Sequence, residues 1–97
     1  MNPVLTLAIQ QRRVLKLRYY GHDRVVEPYA YGLDARGDAL LLCYQRSGRG
    51  IAGKSEGWLI VPLHEVVAVN EMNECYQILR DGYRRDAPTM HSIFAQV

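Results

Sequence analysis

Residues Arg24-Val-Val-Glu-Pro-Tyr-Ala-Tyr-Gly32, a polar turn, and then Ala39-Leu-Leu-Leu-Cys-Tyr44 decide the fold. The pair reads as two β-strands, Arg24–Leu33 and Ala39–Gln45, joined by the hairpin loop Asp34-Ala35-Arg36-Gly37-Asp38. The first opens on an arginine and carries tyrosines; the second is apolar on both faces. Pro28 has no N–H to give a ladder, so it marks an edge position or a bulge.

Upstream, Val14–Tyr20 alternates with period two. Leu15, Leu17 and Tyr19 face one way and Lys16, Arg18 and Tyr20 the other, as in a half-exposed strand. Gly21-His22-Asp23 supplies the turn. Before it, Asn2-Pro3 is a helix start, Asn as cap and Pro at the first helical position. Leu5, Ala8 and Ile9 follow at helical spacing, which predicts a short helix over residues 3–12 that must pack on something to persist. Downstream, residues 46–57 hold four glycines and two serines and read as a loop. Trp58–Leu63 is a fourth strand; a turn at His64-Glu65 leads to a fifth, Val66–Val69. In the tail, Tyr76, Ile78, Leu79 and Tyr83 are candidates for burial, residues 76–80 for a helical turn, and Ser92–Val97 is strand-like in composition. Short, closely spaced strands with one capping helix predict a mainly β chain folded as a small β-barrel.

Ninety-seven residues make one domain, and 48% hydrophobic with 23% charged residues is the balance of a globular protein. A net charge of +2 has the sign for a nucleic-acid partner and too little magnitude to argue for one. No apolar run approaches the ~20 residues that span a bilayer, and no basic segment followed by an apolar core marks a signal peptide. Cys43 and Cys75 therefore read as reduced thiols, and the expected compartment is cytoplasmic.

The segment Gly48-Arg-Gly-Ile-Ala-Gly-Lys54-Ser55 fits the phosphate-loop formula G-x-x-x-x-G-K-[ST] letter for letter. That chemistry needs a helix after the loop, whose N-terminus cradles phosphate. Here Gly57 and the strand Trp58-Leu-Ile-Val-Pro62 follow instead, and no apolar strand ending in Asp comes after to hold a metal. The loop reads as basic and glycine-rich, still able to approach a phosphate backbone. His22, His64, His91, Cys43 and Cys75 lack metal-ligand spacing, the serines and cysteines lack a nucleophile motif, and the glutamates are scattered. No catalytic centre, metal or cofactor is expected. Binding is better supplied: Lys16, Arg18 and Tyr20 share one strand face, Tyr44 and Arg46 alternate onto one face of the third strand, Arg49 and Lys54 lie in the adjoining loop, and Arg80, Arg84 and Arg85 in the tail. Arginine beside exposed tyrosine suits phosphates and stacked bases.

Leu7-Ala8-Ile9 with its following basic pair, the Leu15–Tyr20 strand, Arg24-Val-Val-Glu-Pro28, the apolar strand ending Cys43-Tyr44, and Leu63-His-Glu-Val66 together resemble the WYL domain family. The resemblance covers about residues 5–70 of a single domain, 1–97, with 71–97 as a C-terminal extension. It implies an Sm-like (SH3-like) five-stranded β-barrel, and a non-enzymatic, ligand-sensing module of bacterial transcription regulation or phage defence that binds nucleic acid or a nucleotide-like ligand in a basic cleft. At the matching positions Arg24, Tyr44 and Arg46 become the ligand contacts. The chain departs from the family where the naming triplet falls on Ala39-Leu40-Leu41 and where Pro62 and Glu65 replace cationic positions. Arg49, Lys54, Arg84 and Arg85 are the candidate substitutes. No helix-turn-helix segment is present. An alternative role is assembly with a second copy or another protein through barrel edge strands.

Overall fold

A computed structural model describes residues 3–19, 21–48 and 56–97, with the side chains of residues 47 and 48 outside the description. Asn2, Tyr20, Arg49, Lys54 and most of the glycine-rich loop therefore lie outside the described residues. The elements run α1 (Pro3–Gln11), β1 (Arg13–Tyr19), β2 (His22–Leu33), β3 (Ala39–Gly48), β4 (Gly57–Pro62), a 3-10 turn (Leu63–Glu65), β5 (Val66–Cys75) and β6 (Ser92–Gln96). The described residues are mainly β, with one short α-helix.

Helix α1 begins on Pro3 and buries Leu5, Ala8 and Ile9, the stripe read from spacing. It ends because Arg12 takes φ 53, a left-handed conformation in which its N–H bonds back to the carbonyl of Ile9 at 3.2 Å. β1 then buries Leu15, Leu17 and Tyr19 and exposes Lys16 and Arg18, as alternation requires.

β2 is the spine of the sheet. It pairs antiparallel with β3 from Arg24 to Leu33. Its other edge is divided: residues from His22 to Val26 pair with β1, and Ala30 to Leu33 pair with β6. Pro28 sits between the two partners, where no donor is asked of it, and the register against β3 shifts between Pro28 and Ala30. The expected bulge is thus found within a central strand.

All pairs are antiparallel, and the order is β4-β3-β2-β1-β5 with β6 added to β2. β4 and β5 stand at opposite ends of that order, yet the 3-10 turn between them has three residues. Three residues reach about 10 Å, whereas five strands laid flat set their outer members about 19 Å apart. The sheet must therefore curl. It does not close: among the described residues β4 and β5 do not pair, and there are six strands, so the expected five-stranded barrel is corrected to an open, curled, six-stranded sheet. The sixth strand comes from the tail, and β5 runs six residues beyond its expected end at Val69.

Inside the curl lie Leu5, Ala8 and Ile9 of α1, Leu15, Leu17 and Tyr19 of β1, Val26 and Tyr31 of β2, Leu41 and Cys43 of β3, and Val61 of β4. A second cluster on the outer face joins Val14, Tyr29 and Tyr76, with Tyr44, Trp58 and Tyr83 packed against it. Residues 76–80 form no helical turn. The amide of Arg80 is instead bonded to the Tyr29 hydroxyl at 2.9 Å. Of the predicted tail core, Tyr76 is buried and Tyr83 half-buried, but Ile78 is 84% exposed and Leu79 is also exposed.

Both cysteines are free, Cys43 buried and Cys75 exposed. Burial pushes the Cys43 thiol up to about 12, against a smaller opposing pull from the Arg24 charge. The native state thus holds a proton that the unfolded chain releases above its ordinary value of 9.0, so this thiol's contribution to stability falls as pH rises between those values. At pH 8 a thiol reagent is expected to modify one cysteine in the native protein and two in denaturant. Two fast native thiols would contradict the buried placement of Cys43.

Candidate ligand-binding site

Alternation along β2 sends Arg24 and Val26 to the inner face and Val25 and Glu27 to the outer one. Along β3, Gln45 goes inward, while Tyr44 and Arg46 go outward. Arg24 therefore does not share a face with Tyr44 and Arg46, and the three predicted ligand contacts separate into two sites.

On the inner face Arg24 is 1% exposed. Its Nη1 donates to Gln45 Oε1 at 2.9 Å. Its guanidinium carbon lies over the Tyr19 ring, 5.0 Å from the centroid. The remaining donors, Nε and Nη2, are buried and have no hydrogen-bond acceptor among the described residues. The described buried charged or polar side chains are Arg24, Glu27 and Gln45, and Glu27 lies on the other face of the sheet. Residues outside the description include no aspartate or glutamate.

On the outer face Arg46 and Arg80 are matched by carboxylates. Glu27, 2% exposed at its side chain, is gripped by Arg80 through Nε to Oε1 at 3.1 Å and Nη2 to Oε2 at 2.9 Å. Tyr29 donates its hydroxyl to the same carboxylate at 3.2 Å. Arg46 bridges Glu27 at 3.4 Å and Glu74 at 2.6 Å. The Arg80 guanidinium also lies over the Tyr44 ring, 4.5 Å from its centroid, and its bond to Glu27 holds its pKa above the usual arginine value. Burial raises the pKa values of Tyr29 and Tyr76. A cleft of about 530 Å³ opens here, bounded by Glu27, Arg46, Glu74, Arg80 and residues 75–79.

This network ties residues 76–83 to the sheet. The Tyr76 hydroxyl donates to the Pro28 carbonyl, and Trp58 Nε1 donates to the Asp81 carbonyl at 2.9 Å. Tyr29 packs between Trp58, Tyr76 and Tyr83 with ring centroids 4.9, 5.1 and 4.8 Å away.

Of the remaining predicted contacts, Arg49 and Lys54 lie outside the described residues. Arg84 is exposed. Arg85 is exposed and donates through Nε to the Val97 carbonyl at 3.2 Å. Sequence reading missed Gln45 and the role of Glu27. The available signal was alternation: Arg24 shares its parity with Val26, and Gln45 its parity with Cys43, both apolar inward positions.

Among the described residues no three His, Cys, Asp or Glu side chains gather in a metal-binding arrangement, and no helix is long and apolar enough to cross a membrane. No protein-family model, curated protein or solved structure matches the chain.

Proposed function

We propose that this chain is a WYL-like, ligand-sensing regulatory module, non-enzymatic, that binds an anionic ligand of the nucleotide or nucleic-acid class. The observation that carries the reading is Arg24: a desolvated cation with two buried donor nitrogens unpaired among the described residues. A buried charge without a counter-charge is costly, and so is a buried donor without an acceptor. An anion delivered by a ligand relieves both. The curl of the sheet, its order β4-β3-β2-β1-β5 and the N-terminal helix support reading it as an opened relative of the Sm-like barrel. β6 is then an addition from the C-terminal extension.

On this reading the working end of the molecule is the inner face at Arg24 and Gln45. Tyr44 and Arg46 hold the extension in place. Titration of labelled short single-stranded DNA and RNA, followed by fluorescence anisotropy, is expected to show binding that weakens as salt rises, because phosphate contacts release counterions. Absence of binding at low salt overturns the nucleic-acid form of the proposal.

A further inference from the structure

We infer that the Nε/Nη2 edge of Arg24 is a subsite for a single terminal oxyanion, the phosphate or carboxylate at the end of a ligand. The inference rests on the binding-module reading and narrows it from an anion to one group presented end-on.

A guanidinium offers two parallel N–H bonds along its Nε/Nη2 edge, a spacing that matches two oxygens of a carboxylate or phosphate. The molecule contains this interaction in completed form: Arg80 uses Nε and Nη2 to hold both oxygens of Glu27. In Arg24 the same two atoms are the buried donors without an acceptor among the described residues. Gln45 takes Nη1, the nitrogen outside that edge, and the Tyr19 ring packs against the guanidinium carbon. The group is therefore fixed in orientation with its two-pronged edge left over. A fixed, desolvated donor pair loses little entropy when an oxyanion docks.

The number of cations sets the number of anions. Arg24 is the one positively charged residue among the described buried side chains, and its inner-face neighbours Tyr19, Val26 and Cys43 are uncharged. A nucleic-acid strand running across a surface needs a track of cations, one per phosphate. Among the described residues, one buried arginine with uncharged neighbours offers a place for one charged end.

The test uses the full chain labelled with nitrogen-15 and follows the Arg24 Nε–H resonance. The probes are inorganic phosphate, adenosine monophosphate, adenosine, succinate, and a short oligothymidylate with and without a 5′-phosphate. Inorganic phosphate, the monophosphate or succinate is expected to shift the resonance, and adenosine is not. Response to the phosphates alone identifies the group as phosphate; response to succinate alone identifies it as carboxylate. For the 5′-phosphorylated oligothymidylate, the logarithm of affinity is expected to fall against the logarithm of salt with a slope of about −0.7, the value for one phosphate contact on a single strand. Arg24→Lys keeps the charge and removes the paired edge, and is expected to weaken binding about tenfold or more. The wild-type resonance reports directly even if that variant folds poorly. An oligonucleotide that binds with a slope of several, indifferent to its terminal phosphate and without moving the Arg24 resonance, overturns the end-on subsite and leaves the binding module standing. No response to any probe at low salt removes both.

Discussion

Replacing Glu27 with alanine is expected to destabilise the protein by about 3 kcal/mol, the lower end of the cost of breaking a buried ion pair. One buried carboxylate accepts from Tyr29, receives two bonds from Arg80 and neutralises part of Arg46. Removing it leaves the Tyr29 hydroxyl proton without its carboxylate acceptor and releases the Arg80 side chain, one of the polar ties between the tail and the sheet. The loss stays at the low end because Arg80 and Arg46 keep roughly a third of their side chains in water and can resolvate. Arg46 also retains Glu74. Urea denaturation measures the loss, and hydrogen exchange locates it, with protection expected to fall first in residues 76–83. Glu27→Gln keeps the shape and loses the charge, so it should fall between wild type and alanine. A Glu27→Ala variant with wild-type stability would show that the network contributes nothing.

Gly32→Ala is expected to be nearly as damaging, for a purely steric reason. A Cβ on Gly32 would overlap the carbonyl oxygen of Ser92 and come within 3.1 Å of the Ile93 Cα. Both are backbone atoms of β6, which cannot rotate aside. Overpacking of this kind costs about 1–3 kcal/mol, and here the simplest relief is for β6 to leave the edge of β2. The amide of Ile93 is then expected to exchange at the rate of an open chain, while amides of the β1–β2 hairpin keep their protection. Unchanged protection of β6 would refute this account. Gly37 serves as the contrast: a Cβ there would meet nothing within 4 Å, but the backbone holds φ 86, so the cost of substitution is conformational only.

The elements were legible because their patterns are local. Alternation in Leu15-Lys16-Leu17-Arg18-Tyr19, helical spacing in Leu5, Ala8 and Ile9, and the missing N–H of Pro28 each reflect chemistry within a few residues. The destination of β6 was not legible. Its place depends on a bare edge of β2 and on Gly32, which lies 60 positions before Ser92. The length of β5 was hidden because, of the residues beyond Val69, Asn70, Glu71, Asn73 and Glu74 are exposed and polar and Met72 is the one half-buried position, too little for alternation to carry a signal. Ile78 and Leu79 depart from expectation for the opposite reason: they are apolar, but their segment is held by Tyr76 and Arg80 on either side and leaves both exposed. In the site, residue types were legible and partners were not. Arg24 and Arg46 look alike in the sequence. What separates them is Glu27, which occupies the outer face and leaves the inner arginine without a carboxylate among the described residues.

The order β4-β3-β2-β1-β5 also has a consequence for synthesis. β1 is made early, and its partner on the β5 side runs from Val66 to Cys75, pairing Arg13 with Cys75. At about 5–20 residues per second, a ribosome needs several seconds between completing β1 and completing β5. During that interval the β1–β2–β3 unit presents an unpaired edge, and Leu15 and Leu17 have only part of their eventual cover. Crowding on polysomes, where several such chains grow side by side, is the circumstance in which that edge would find the wrong neighbour.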